Sequence, residues 1–286
     1  MQTLQRPFMK KINIKLEDLR QQNLKELFMI LEGVFTELQV EFYILGAMAR
    51  DAWYAKRQIG SRTTRDVDFA LYVSTQEQYD EIVKRLINKF GFSEIKGIPF
   101  RLQTPFGYTI DLIPFGEISI DDAVLPDETW DRPVFVNGFK ETFEHALVPV
   151  EVEEDPSLTF RVASLASIVL LKLIAYDDRP EWRNTDPADI SDIIIHFFDI
   201  ESEVIYEDHN DLFSRDLELH EIAAIVIGRE MSIILSNNKA LQNRVLRILS
   251  LEYKTQQQMA EAMARDGITL EQVERWFEKI REGIVK

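Results

Sequence analysis

The sequence predicts an α+β protein, with a mixed sheet and helices in residues 1–155 and an all-helical domain in residues 156–286. Three observations carry this. Short apolar runs, such as Glu41-Phe42-Tyr43-Ile44-Leu45 and residues 108–115, alternate with amphipathic stretches in the first half. Beyond Pro156 the apolar residues recur only at helical spacing. The 286 residues exceed what one small core needs and suit one large or two modest domains.

Residues 16–38 read as an amphipathic helix, with Leu16, Leu19, Leu24, Leu27, Phe28, Leu31, Val34, Phe35 and Leu38 on one face. The strand at 41–45 ends at Gly46, and Gly46-Ala47-Met48-Ala49-Arg50 opens a helix without a breaker. Gly46 either turns a corner or lets a ligand approach the backbone, where the first N–H groups of the helix are unpaired. Residues 56–65 form a loop with the densest basic content of the chain: Lys56, Arg57, Arg62 and Arg65. The loop is either a funnel for an anionic substrate or a solvated segment that neutralises nearby acids. A helix follows at 75–90, with Tyr79, Ile82, Val83, Leu86, Ile87 and Phe90 on its apolar face and Gly91 at its end. Residues 92–103 give strand-like pieces broken by Gly97 and Pro99. Residues 104–107 give a turn, and 108–115 give a strand. From 118 to 154 turns alternate with strands, the clearest at 133–140 and 143–152, and the domain boundary is placed at Pro156.

In the second half, residues 162–176 are apolar, with Lys172 as their only charge. This lysine either snorkels to the surface or points into a cleft between domains. Asp186 suits the N-cap of the next helix and Pro187 its first turn, which leaves Asp189 unexplained. Helices at 217–235 and 240–251 read as packing elements. Residues 255–264 and 269–280 form a loose helix-turn-helix, but Glu271, Glu274, Glu278 and Glu282 make its second helix acidic, against DNA readout.

The net charge of −16 disfavours extended DNA or other broad nucleic-acid binding, which depends on cations that neutralise phosphates. The absence of cysteine excludes disulfides, thiolate zinc sites and cysteine nucleophiles, and fits a cytoplasmic protein. No apolar run reaches the ~18 residues of a membrane span, and residues 1–15 lack the apolar core of a signal peptide. His145, His196, His209 and His220 show no metal-ligand spacing.

The chemistry centres on Arg65-Asp66-Val67-Asp68-Phe69. In a strand, residues i and i+2 share a face, so Asp66 and Asp68 project together. Both stay ionised only beside a cation; otherwise one raises the pKa of the other. A divalent metal such as Mg²⁺, bound by one or two carboxylates and substrate phosphates, supplies that cation. Asp111 lies between Ile110 and Leu112. A buried, unpaired carboxylate is too costly to persist, so Asp111 is either on the exposed face of its strand or serving a ligand.

Strand–Gly46–helix, then Asp66-x-Asp68, then Asp111 on a later strand resembles the nucleotidyltransferase superfamily of DNA polymerase beta. Leu171-Lys172-Leu173-Ile174-Ala175 followed by Asp186-x-x-Asp189-Ile190 is similar to the abortive-infection (AbiE-type) nucleotidyltransferase toxins and their relatives. The resemblance covers residues 43–192. It departs at Ala47, where the family carries Gly or Ser, and at Thr185, where toxin-like members often carry Lys. The backbone N–H of Ala47 remains available to a phosphate.

The resemblance implies a metal-dependent transfer of NMP from an NTP to a hydroxyl acceptor in RNA, protein or a small molecule. Two Mg²⁺ or Mn²⁺ ions would act on the acceptor oxygen and the leaving pyrophosphate. Asp66, Asp68 and Asp111 would be the metal ligands and catalytic acids. Gly46, Ala47, Arg50, Arg65 and Lys172 would bind nucleotide, with Asp189 orienting the acceptor or the lysine. A toxin-like role implies a cognate protein partner. Two competing readings are a catalytically silent module of the same fold that binds protein or RNA, and a DNA-binding regulator. Three clustered acids also predict that Asp111→Asn keeps or raises the melting temperature, and isolation in an apolar helix predicts that Lys172→Ala leaves it nearly unchanged.

Overall fold

The computed structural model describes residues 11–19, 23–60, 66–126 and 132–285. In chain order the elements are β1 (Ile12–Ile14), α1 (Leu24–Glu37), β2 (Glu41–Leu45), α2 (Gly46–Ala55), β3 (Asp66–Tyr72), α3 (Gln76–Phe90), β4 (Ser93–Glu94), β5 (Arg101–Gln103) and β6 (Thr109–Phe115). Then come β7 (Ala123–Val124), β8 (Val134–Phe135), α4 (Phe139–His145), β9 (Leu147–Val152), β10 (Asp155–Ala163), α5 (Leu165–Asp178) and α6 (Asp186–Asp208). The chain ends with α7 (Leu219–Ile234), α8 (Lys239–Ile248), α9 (Lys254–Met263) and α10 (Leu270–Val285).

These elements form two units. One holds residues 1–120, 126–130 and 147–164, and the other holds 121–125, 131–146 and 165–286. The first unit is built on an eight-stranded mixed sheet in the order β1-β9-β10-β2-β3-β6-β5-β4. β3 runs parallel to β6 and antiparallel to β2, while β5 is antiparallel to β6. The period-2 burial of β3 separates its faces, with Val67 and Phe69 buried and Asp66 and Asp68 half-exposed. On the buried side Phe69 meets Phe28 of α1 edge-on at 6.3 Å, and Phe28 stacks on Phe160 of β10 at 4.7 Å. α3 starts at Thr75, whose hydroxyl accepts from the Gln78 N–H, and ends at the left-handed Gly91.

The second unit is helical apart from the β7–β8 ribbon. Its α7 and α10 meet backbone to backbone at Gly228 and Gly283. A Cβ on Gly228 would stand 2.9 Å from Cα of Gly283, closer than side chains are found. Arg244 of α8 donates to Asp177 and Asp178 at the end of α5, and Tyr253 donates to Asp177, tying these helices together.

Several expectations change. The unbroken helical run that closes the chain starts at Leu165 rather than Pro156, because β10 crosses that position and inserts between β9 and β2, and the helical unit also takes in 121–125 and 131–146. Leu158, Phe160 and Val162 alternate as buried residues with Thr159 and Arg161, a strand period inside what reads as the start of a helix. The helix expected at 16–38 begins only at Leu24, since Asn23 with φ 61° lies outside the right-handed range. The strands expected at 133–140 and 143–152 shrink to β8 and β9. Between them, left-handed Gly138 starts α4, whose Phe139 and Thr142 are buried at i, i+3.

Candidate active site

The sheet register brings the acids together. Asp68 pairs with Asp111 across the parallel β3–β6 ladder, and Asp66 pairs with Thr109. Arg101 of β5 lies opposite Asp111 on its other side, and Gln103 lies opposite Thr109. Registered residues share a face, so Asp66, Asp68, Asp111, Arg101 and Thr109 project from the same side of the sheet. Each acid alternates with a fully buried neighbour (Val67, Phe69, Ile110 or Leu112), which fixes the strand's orientation.

Gly46 completes this surface from the adjacent strand. It has φ +67°, and a Cβ there would overlap Oδ2 of Asp68. Leu45 at the N-cap of α2 gives no side-chain hydrogen bond, so the first N–H groups of the helix are left to other acceptors. Gly46 and Ala47 are half-exposed, while Met48 to Ala52 are buried. Trp53 fixes the far end of α2 by donating from Nε1 to the Ala163 carbonyl at 3.0 Å.

Asp66 and Asp111 each have a neighbour that sequence reading missed. The Thr109 hydroxyl donates to Oδ1 of Asp66. Arg101 grips Asp111 with both prongs, Nε to Oδ1 and Nη2 to Oδ2, each at 2.6 Å. The hydrogen bond to Asp111 is the main reason the Arg101 pKa lies above its ordinary value. Partial burial opposes it, and the charges of Asp111, Asp66 and Asp68 reinforce it. The loop is centred on Phe106, which sets 103 opposite 109 and 101 opposite 111, whereas a turn at 104–107 sets Arg101 opposite Ile110 and hides its partner.

The nucleotide-binding expectations fare unevenly. Arg50 is only 3 % exposed; its guanidinium donates to Asp51 and lies 5.6 Å from the Tyr54 ring centre. It is buried in α2 on the side that also carries the packed residues Trp53 and Tyr54. Arg65 lies outside the described residues.

In the helical unit Lys172 does not snorkel. Its ammonium donates to Oδ1 of Asp186 at 2.7 Å and Oδ2 of Asp189 at 2.9 Å. Burial is the largest single influence on its pKa and acts downward, but the two aspartates together outweigh it and hold the lysine above its ordinary value. Asp186 is a helical residue and not the N-cap; Thr185 takes that place without a side-chain bond. Asp186 and Asp189 lie at i, i+3 on one face, which lets both reach the lysine. Oδ2 of Asp186 is buried and has no hydrogen-bond partner among the described residues.

Among the described residues no three acidic or histidine side chains converge as a ready metal cluster, consistent with both Asp111 oxygens being held by Arg101. The donors themselves suit a hard divalent cation. Asp66 and Asp68 offer carboxylate oxygens from one strand face, and the missing Cβ of Gly46 makes the room that the Asp68 carboxylate occupies. No helix among the described residues is long and apolar enough to cross a membrane.

A comparison with curated proteins finds no match. Among solved structures, the solution structure of the antibiotic-resistance factor ANT(2'')-Ia is similar at 15% identity and a TM-score of 0.33, over 55% of this chain and 73% of that one. A family model, described as nucleotidyl transferase AbiEii toxin of type IV TA systems, matches residues 34–279. That match takes in the acidic strand β3 and the Lys172 helix alike, and the chain belongs to the AbiEii nucleotidyl transferase family.

Proposed function

We propose that this protein transfers an NMP from an NTP to a hydroxyl acceptor in RNA, protein or a small molecule, with Mg²⁺ or Mn²⁺ as cofactor. The observation that carries this reading is the register that sets Asp68 beside Asp111, with Asp66 two residues away and Gly46 against Asp68. Divalent metal at such acids would supply charge neutralisation for the phosphates and activation of the acceptor oxygen. Asp66 and Asp68 would hold it, with the Thr109 hydroxyl fixing the rotamer of Asp66. The N–H groups of Gly46 and Ala47 at the start of α2 would bind phosphate oxygens, as helix starts do. On the helical unit, Lys172 is proposed as a phosphate contact, and its bonds to Asp186 and Asp189 would fix where that charge points.

Membership in a family described as type IV toxins supports a toxin-like role in the cytoplasm with a cognate partner. Incubation of the full chain with each α-labelled NTP, Mg²⁺ and cell extract tests the activity. Label should move to one macromolecular or small-molecule fraction with wild type and not with Asp66→Asn or Asp68→Asn. One observation favours the competing reading of a silent binding module: Arg101 already neutralises Asp111. That reading prevails if no NTP yields labelled product while the folded protein retains a partner from the extract.

A further inference from the structure

The two prongs of Arg101 occupy both oxygens of Asp111, and the pair is only partly open to water, at 27% and 16% exposure. A metal ion at Asp111 needs one of those oxygens at ~2.0–2.1 Å. Guanidinium and dication on one carboxylate would repel each other across a few ångströms, in a setting that screens charge poorly. The forked geometry also makes this the strongest class of carboxylate hydrogen bond, so Arg101 does not yield to dilute metal without an alternative anion.

Arg101 also has open space beside it. It sits on β5 beside a cavity of ≈ 530 Å³ between α3 and the β4–β5 hairpin, whose lining includes Asp80 and Glu94 as well as Arg101 itself. A triphosphate arriving at the acidic face would offer the guanidinium a second bidentate partner that carries more charge than Asp111.

We propose that Arg101 is a resident cation on Asp111 that keeps the third carboxylate from metal until nucleotide draws the guanidinium away. Metal loading is thereby ordered: nucleotide first, the Asp111-bound metal second. The inference rests on the nucleotidyltransferase reading of the acids. Arg101 acts through Asp111 as a positioning residue, and its charge holds the acidic face together while the site is empty of metal.

Mn²⁺ titration of the full chain, followed by electron paramagnetic resonance, tests this without any turnover. Wild type, Arg101→Gln, Arg101→Lys and Asp66→Asn/Asp68→Asn are compared, each with and without the α,β-methylene analogues of the four NTPs. Without nucleotide, Arg101→Gln should bind Mn²⁺ at least about tenfold more tightly than wild type, which is about 1.4 kcal/mol. Arg101→Lys, which keeps the charge but loses the fork, should fall between them. An analogue should bring wild type close to Arg101→Gln. A merely structural arginine would lower the melting temperature of both variants and leave their nucleotide-free Mn²⁺ affinity at or below wild type, which overturns the proposal. Should Arg101→Gln not fold, Arg101→Lys decides by the same sign. If no analogue raises Mn²⁺ binding of wild type above that of the double aspartate variant, the metal reading of the site fails, a different result from failure of the Arg101 order.

Discussion

Gly46 and Asp68 touch so closely that the carboxylate occupies the place where any other residue would carry its Cβ. The same glycine holds φ +67°, a conformation that costs an L-residue about 1–2 kcal/mol. Gly46→Ala should therefore lower stability by at least that amount and push Asp68 off its position. Transfer should fall further than the folded fraction does. Thermal melting and label transfer on one preparation separate the two effects; unchanged activity per folded molecule would show that the Asp68 position is not needed.

Lys172→Ala should strongly destabilise the protein, contrary to what its isolation in the sequence predicts. The substitution leaves Asp186 and Asp189, 3 % and 7 % exposed, without their shared cation. Breaking a buried pair in this way costs about 3–5 kcal/mol. The loss should shrink when Asp186→Asn and Asp189→Asn accompany it, which urea titration of the three-site variant measures. Because the folded lysine lies above its unfolded pKa, its contribution is complete below about pH 10.5 and is lost only as pH rises through the folded value.

Asp111→Asn should lower the melting temperature slightly rather than keep or raise it. Mutual repulsion of three acids would favour the neutral variant, but Arg101 already offsets that repulsion. An asparagine keeps one acceptor and loses the charge, a change worth about 1 kcal/mol after discounting for solvent. Calorimetry checks the sign, and a rise in melting temperature would show that repulsion outweighs the arginine. Label transfer by the same variant should be abolished.

Acidification should weaken the helical unit through His209. Nδ1 of His209 accepts from Nη1 of Arg229 at 3.0 Å, which requires a neutral ring. Burial first, and then Arg229, push the His209 pKa below its ordinary value, while Asp208 and Asp211 pull it back. A depressed folded pKa means that the unfolded chain takes up the proton first. Stability is then full above about pH 6.5 and declines as pH falls through the folded value. His209→Gln, which keeps an acceptor and does not titrate, should flatten the part of the melting curve's pH dependence between pH 7 and 5 that wild type shows.

The parts of this fold that were legible in sequence are those set by local pattern. Asp66 and Asp68 share a face because a strand has period two, and α3 starts at Thr75 and stops at Gly91 because those residues cap. The parts that were hidden depend on pairing at a distance. β10 looked helical because Val162 runs on into the apolar stretch of α5, and only its place between β9 and β2 makes it a strand. Arg101 lies in a segment broken by Gly97 and Pro99, and its pairing with Asp111 depends on a loop one residue longer than the turn at 104–107. Asp186 reads as a cap because Pro187 follows it; its pairing with Lys172 spans 14 residues and leaves no local trace.

The chain enters the helical unit at residues 121–125 and 131–146, then returns to finish the sheet with β9 and β10 before leaving again at Leu165. During synthesis the ribosome therefore releases β2 and β3 long before β10, the strand that flanks β2 on its other side. Until Ala163 has emerged, β2 waits with an open edge, and the ribbon strands and α4 are already outside the tunnel. A nascent chain stalled short of that point carries Asp66, Asp68 and Asp111 but not a closed sheet beneath them. For a nucleotide-transferring enzyme, this ordering delays assembly of the acidic face until more than half of the polypeptide has been made.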